Sequence, residues 1–547
     1  MDYNKLAELL FPQIDKTPED YEAMYPPRKE GKIITRLGPS PTGFIHLGNL
    51  YGAFVDERLA HRDGGTFYLR IEDTDDKRYV EGAVETIINS LKFFDINFDE
   101  GASFGGEYGP YYQSERGPIY QAFVKSLVGQ GKAYPCFLTE GELAEIRAQQ
   151  EAAKETTGIY GKYAEKNRNL TYEEVEANIA AGKPYVIRLK SKGNQGPDGV
   201  VYIKVKDAIR GEVSMPANDQ DVVILKANGI PTYHFAHVID DHLMRTTHVV
   251  RGEEWLMSLP IHIELFEALE LEPPIYCHTA VLMKLDDETG NKRKLSKRKD
   301  PELSLDYYRQ EGYHPQAVKE YLLTILNSNF EEWRMANPDS DINEFQFSTE
   351  KMNSAGALFD LNKLNDISKD VLLKIPAGEL ADFMLEWAKE FKPKAAPLLE
   401  DKEYLTKILG IGRDDAKPRK DLIYAKQIFD FISYFYDEYF VIEERIPEQV
   451  SDEDAREILK RYLETYDHSD DQSQWFEKIR TITADMGYAV KPKDYKKHPE
   501  EYKGSVAHVS TVIRIAVMGR SQSPDVWTIQ QILGEDRVRA RISELIG

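Results

Sequence analysis

The sequence predicts an α/β protein: a parallel-sheet domain with an α+β insertion, followed by an all-α C-terminal region. Three observations carry this. Between Ile33 and Ile71 a β-rich run, a Gly/Pro turn, a helical periodicity and a second β-rich run follow one another. From about 135 to 220 the texture changes to a charged helix and short strands. Beyond about 330, long helical stretches dominate.

Taken in order, residues 1–30 are polar and aromatic and read as an N-terminal extension packed on a domain. Residues 31–134 form the first half of the sheet domain. Ile33–Leu37 is β-rich, Gly38-Pro39-Ser40-Pro41-Thr42-Gly43 forms turns, and Leu47, Leu50, Tyr51 and Phe54 recur at helical spacing. Thr66–Ile71 is the second strand, so the unit is βαβ, with its ligand site at the strands' carboxyl ends. Residues 135–220 read as the insertion, with a helix at Glu140–Lys154 and strands at Tyr185–Leu189 and Val200–Val205. In residues 221–330, Val222–Leu225, His248–Val250 and Ile275–Cys277 resume the apolar strand pattern. Residues 331–547 form the helical region, with helices expected at Asp421–Phe440 and Ala455–Tyr466.

Composition excludes several classes. At 547 residues, three or four domains are expected. There is no run of eighteen apolar residues and no basic-then-apolar N-terminus, which argues against a membrane span or signal peptide. Two cysteines, Cys136 and Cys277, exclude a disulfide framework and a four-cysteine zinc site. A cytoplasmic protein is expected. The net charge of −23 opposes a nucleic-acid partner only on average, since a footprint needs local charge. Two clusters supply it. Six of the eight residues from Lys292 to Lys299 are basic, and Lys491 to Arg520 holds seven basic against three acidic residues. Either run is also what a solvated face looks like.

Two stretches carry chemistry. In Pro39–Gly48 (PSPTGFIHLG), Thr42 and Gly43 lie where a strand passes into a helix, so backbone N–H groups can meet an anion. His46, expected in the helix's first turn, can donate to phosphate, and Gly48 leaves room for a ligand. In Lys294-Leu-Ser-Lys-Arg298, lysines in a loop can neutralise charge that develops on polyphosphate.

Together these stretches, about 250 residues apart, resemble the paired signatures of class I aminoacyl-tRNA synthetases. The strings TRLGPSPTGFIHLG, Leu69-Arg-Ile-Glu-Asp-Thr-Asp75, Pro231-Thr-Tyr-His-Phe-Ala-His237, Asp240-Asp-His-Leu-Met244, Val250-Arg-Gly-Glu-Glu-Trp255 and KLSKR resemble the glutamyl-tRNA synthetase family, in its order. The resemblance is strong over about 31–330. Ile513–Arg520 with Ile532-Leu-Gly-Glu is similar to the family's C-terminal helical end. It implies a Rossmann-type catalytic domain, an insertion that binds the tRNA acceptor end, and a helical anticodon-binding region.

The implied reaction makes glutamyl-adenylate from L-glutamate and ATP, then transfers the acyl group to the 3′ end of tRNA(Glu). By resemblance His46 and Lys297 are catalytic. Arg36, Ser40, Glu72, Tyr233, His237 and Arg251 bind glutamate. Thr42, Gly43, His46, Gly48, Glu254, Lys294 and Lys297 bind ATP. Arg36 and Arg251 can each pair with a carboxylate and Glu72 with the ammonium. Lys491, Lys493, Lys496, Lys497, Arg514 and Arg520 are expected tRNA contacts. ATP comes with Mg2+, no membrane is involved, and the family is usually monomeric.

Two departures stand out. Many bacterial relatives open a zinc site with Cys-x-Cys, whereas Tyr134-Pro-Cys136-Phe-Leu138 leaves one cysteine, so no zinc is expected. His237 stands where the family usually has asparagine and brings a titratable group to the glutamate pocket. The alternatives are a glutaminyl-tRNA synthetase, or a glutamate enzyme that also charges tRNA(Gln). A short paralogue that modifies a tRNA base lacks the C-terminal region, and a non-catalytic relative would not need His46 and Lys297.

Overall fold

In the computed structural model, which describes residues 1–42, 45–75, 80–286 and 288–546, β1 (Ile34–Leu37) is buried on both faces. Such burial needs apolar or paired residues throughout, and Ile-Thr-Arg-Leu meets it because Arg36 finds an internal partner. Its parallel neighbour β2 (Thr66–Leu69) pairs with β3 (Glu100–Gly101) on the other side. Between β1 and β2 runs α3 (Leu47–Arg62), which buries Leu50, Phe54 and Leu59 against the sheet. The N-terminal extension, with α1 (Tyr3–Leu10) and α2 (Pro18–Met24), packs on the helix Gly117–Gly129 that follows β3. Lys125 Nζ reaches the Ile14 carbonyl at 2.8 Å, and Arg245 Nη2 the Tyr25 carbonyl at 2.9 Å.

The insertion departs from the expected boundaries. β4 (Ala133–Cys136) and β5 (Val186–Leu189) are antiparallel. A small ribbon, β6 (Gln195–Gly196) with β7 (Gly199–Val200), precedes the hairpin of β8 (Tyr202–Asp207) and β9 (Gly211–Pro216). β10 (Val223–Leu225), expected to resume the parallel sheet, pairs antiparallel with β5 instead. A three-residue apolar run carries no signal of strand direction. The parallel sheet resumes at β11 (His248–Gly252), which pairs with β12 (Ile275–Thr279). Thr247 N–H donates to the Ile34 carbonyl at 3.0 Å, which places β11 beside β1. The order β3-β2-β1-β11-β12 reverses direction between β1 and β11, the switch point at which a crevice opens at the strands' carboxyl ends. β8 continues the sheet beyond β12.

After β12 the chain forms β13 (Leu282–Leu285), β14 (Lys292–Lys294) and β15 (Ala357–Leu358), in the order β14-β13-β15. The chain divides into two compact units. One comprises Met1–Asp306 with Lys319–Asp360, the other Tyr307–Val318 with Leu361–Gly547. The main stretch of the second unit therefore starts at 361, with 307–318 as a separate piece, because β15 ties the stretch before it to β13. The second unit is helical around a core that includes Leu459, Ile479, Val509 and Ile513. The expected helix at Asp421–Phe440 is shorter, Ala425–Ile432, followed by two 3-10 turns. Tyr434, Phe435 and Tyr436 are all buried, and three consecutive residues cannot share one α-helical face. Helices at Glu140–Ala153 and Asp452–Thr465 match the expectation.

Candidate active site

A cavity of about 540 Å3 lies at the carboxyl ends of β1 and β11. Its lining includes Arg36, Ser40, His46, Gly48, Glu72, Tyr233, Arg251, Glu254 and Lys294, nine of the residues expected from the sequence. These fall into two groups by their electrostatic neighbours. Tyr233 feels Glu72, Arg251 and Arg36, whereas His46 feels Lys297, Glu254 and Lys294.

In the first group Arg36, on β1, is buried and points Nε at Asp241 Oδ1, 3.3 Å away. Arg70 Nη1 reaches the same oxygen at 2.7 Å and its Nη2 reaches Glu72 Oε1 at 3.1 Å. Burial alone would raise the Asp241 carboxyl, but Arg70 and Arg36 overcome it and hold Asp241 well below the usual carboxylate range. Glu72 goes the other way: burial raises it, and the arginines offset only part. Gly38 allows this approach, since a Cβ there would lie 2.4 Å from Glu72 Oε1. Arg70 and Asp241, not expected as site residues, lie in the strings Leu69-Arg-Ile-Glu and Asp240-Asp. Arg70 directly follows the apolar β2 and Asp241 lies in the apolar helix Tyr233–Leu243, a pattern that does not say which charge meets which. Trp255, packed on Tyr233 with ring centres 4.5 Å apart, was also missed.

His237 is corrected on two counts. It does not line the cavity; it is wholly buried behind Tyr233, stacked on that ring at 5.8 Å. Its Nδ1 lies 2.8 Å from Asp241 Oδ2 and its Nε2 3.3 Å from the Tyr276 hydroxyl. Burial lowers its pKa to about 4, despite Asp241, so it is neutral at pH 7 and brings no titrating charge to the pocket.

In the second group His46 is the N-cap of α3 rather than a first-turn residue. Asn49 N–H donates to its Nδ1 at 3.3 Å, and the His46 N–H returns to Asn49 Oδ1 at 3.0 Å. With Nδ1 accepting, the neutral ring carries its proton on Nε2. Burial, then Lys297, lowers its pKa and favours that form. Gly48 is required by this ring: a Cβ there would stand 2.9 Å from His46 Cε1. Thr42 does not line the cavity, and its N–H is taken by the Ser40 carbonyl at 2.8 Å, so it cannot meet an anion in this conformation. Gly43 lies outside the described residues.

Lys297 is exposed in a turn beside the cavity. The segment is anchored by Asp300, which accepts from Arg293 at 2.6 and 2.8 Å and from the Ser296 N–H at 2.8 Å. Leu295 is buried beneath it. The basic run is therefore half strand, half tethered turn.

Cys136 and Cys277 are both buried and free, on strands of different sheets. Among the described residues no helix is long and apolar enough to cross a membrane. In the helical unit Lys491, Lys493, Lys496 and Lys497 are exposed. Arg514 is half-buried and donates to the Ser521 carbonyl at 3.1 Å. Arg520 is committed internally, bidentate to Glu443 at 2.8 and 2.7 Å.

A cavity at the switch point of a parallel sheet, with a helix-capping histidine on one side and a tethered lysine loop on the other, defines a class I aminoacyl-tRNA synthetase catalytic domain. Residues 32–366 match the family described as tRNA synthetases class I (E and Q), catalytic domain, and residues 379–546 match an anticodon binding domain. The chain belongs to this glutamate and glutamine family. A glutamate–tRNA ligase of Acetivibrio thermocellus is 63% identical, spanning 100% of both chains. One of Clostridium perfringens is 49% identical over 99% of this chain and 100% of its own. The crystal structure of a glutamate-tRNA synthetase from Elizabethkingia anophelis is similar at a TM-score of 0.74 and 29% identity, covering 94% of this chain and 99% of that one.

Proposed function

We propose that this chain is a glutamate–tRNA ligase: it activates L-glutamate with ATP and transfers it to the 3′ end of tRNA(Glu). The observation that carries the substrate is two arginines, Arg36 and Arg251, on a cavity that also presents Glu72. That set matches a molecule with two carboxylates and one ammonium. The full-length likeness to glutamate–tRNA ligases supports this over the glutaminyl alternative.

In the first step the α-carboxylate of glutamate attacks the α-phosphorus of ATP and pyrophosphate leaves. ATP enters as its magnesium complex, the metal carried by the phosphates. Charge accumulates on the phosphate oxygens, where His46 Nε2–H and the Lys297 ammonium act as donors, with Lys294 and Glu254 lining the same side. In the second step a hydroxyl of the terminal ribose attacks the glutamyl carbonyl and AMP leaves. The exposed lysines of 491–497 meet the tRNA, and the ligase works as a monomer in the cytoplasm.

ATP–pyrophosphate exchange tests the site, run with tRNA present. Glutamate should support exchange far better than glutamine, because an amide leaves one arginine unpaired in a desolvated pocket. Lys297→Ala should lower the exchange rate at saturation more than it raises the glutamate KM, by about 10²–10³, as loss of one donor to developing charge does elsewhere. Equal use of both amino acids would overturn the pocket, and an unchanged rate would remove Lys297 from the chemistry.

A further inference from the structure

Arg251 is buried, yet no carboxylate of the described residues lies within 4 Å of it. Its guanidinium is instead held by two imidazoles. Nε donates to His278 Nε2 at 2.9 Å, and Nη1 meets His262 Nδ1 at 3.0 Å. The ring of Tyr276 lies beneath, 4.6 Å from the guanidinium carbon. Nη2 is buried and has no hydrogen-bond partner among the described residues. Arginine has only donors, so each nitrogen facing it must carry a lone pair. The proton of each ring therefore sits on the other nitrogen. For His278 that is Nδ1, 2.7 Å from Asp207 Oδ2; for His262 it is Nε2, 2.9 Å from His234 Nδ1. The tautomers of the chain Asp207–His278–Arg251–His262–His234 are thus fixed by the arginine at its centre, and Asp207 and His234 accept the remaining ring protons.

This differs from the neighbouring arginines. Arg36 and Arg70 share Asp241, so their charge is partly met inside the protein. Arg251 is positioned by neutral acceptors, and the carboxylate of Asp207 stands a whole imidazole ring away. We propose that His262 and His278 are positioning residues that determine specificity: they fix Arg251 without neutralising it, so its charge stays available to a substrate carboxylate and an acid is selected over its amide. This rests on the reading of Arg251 as a partner of the glutamate substrate. Burial supports the neutral state, since it pushes His262 well below the usual imidazole range and also lowers His278, against the pull of Asp207.

The test is a pair of near-isosteric variants that differ in charge. His262→Asn keeps a neutral acceptor where Nδ1 stands, whereas His262→Asp puts a carboxylate on Arg251. Glutamate and glutamine KM and kcat are measured by ATP–pyrophosphate exchange with tRNA, and thermal unfolding checks the fold. His262→Asp should raise the glutamate KM at least tenfold over His262→Asn. Its kcat should move less than about threefold, and glutamine kinetics should change little, so selectivity falls through KM. Equal glutamate KM in the two variants would overturn the proposal. If either variant fails to fold, His278→Gln, which keeps an acceptor, against His278→Leu, which does not, takes the place of the pair. The leucine variant should then lose selectivity and the glutamine variant keep it, and equal selectivity overturns the proposal. Arg251→Gln separates the two readings. If it leaves the glutamate KM unchanged, the pocket assignment itself fails. If it raises that KM while the histidine variants behave alike, only the positioning role fails.

Discussion

At the scale of single residues, the site is built on a buried charge layer that sequence strings contain but do not arrange. Arg36, Glu72, Tyr233 and Arg251 were legible because each sits in a short motif and lines the cavity. Asp241 and Arg70 were not, because their role depends on which strand faces which helix. His237 was legible as a departure, but its effect was not: only the fold shows it behind Tyr233, with its pKa lowered to about 4. That has a consequence for stability. An unfolded imidazole titrates at 6.5, so between pH 6.5 and about 4 the unfolded chain takes up a proton that the folded residue refuses. Stability is therefore intact above 6.5 and falls as the pH drops through this window, by roughly 2 kcal/mol from His237 alone near pH 5. Thermal unfolding at pH 7 and pH 5 should show a smaller acid loss in His237→Asn than in the parent chain. Equal losses would mean that His237 is protonated in the fold.

At the scale of elements, β1, α3 and β2 were readable from periodicity, because two buried strands and an amphipathic helix leave clear patterns. The direction of β10 was not readable, since pairing partners are set by the whole insertion. Nor was the tether under the lysine loop. Asp300 is buried and bound to Arg293 and the Ser296 N–H, and Arg293 holds its carboxyl well below the usual range. Arg293 would keep its second partner, Asp286, at 3.0 Å, but an amide at 300 could no longer serve as the charged acceptor that joins Arg293 to the Ser296 N–H. Asp300→Asn should therefore release the turn at Lys297–Lys299. Limited trypsin cleavage there should speed several-fold and the ATP KM should rise, with the glutamate KM little changed. Cleavage at the parent rate would show that Leu295 alone holds the loop.

At the scale of the whole molecule, a chain of net charge −23 must present local positive charge to hold tRNA. The residues expected to meet tRNA differ in their surroundings. Arg520 is committed to Glu443 and Arg514 is half-buried, whereas Lys491, Lys493, Lys496 and Lys497 are exposed. Phosphate contacts add affinity without reading sequence, so replacing Lys496 and Lys497 by alanine should weaken tRNA binding and reduce the slope of log affinity against log salt by about 1–2. An unchanged slope would place the footprint elsewhere. The domain order could be anticipated from composition and texture, but the two-piece make-up of the second unit, 307–318 with 361–547, could not, because a two-residue strand ties the stretch between to the first. If this cavity joins glutamate to tRNA, the ester bond forms only as ATP is cleaved. The decisive measurement is charging of tRNA with labelled glutamate or glutamine, with and without ATP. A base-labile glutamyl ester should form on the tRNA only with ATP, with at least a hundredfold less label from glutamine. Equal charging with glutamine, or glutamate label that appears without ATP, would contradict it.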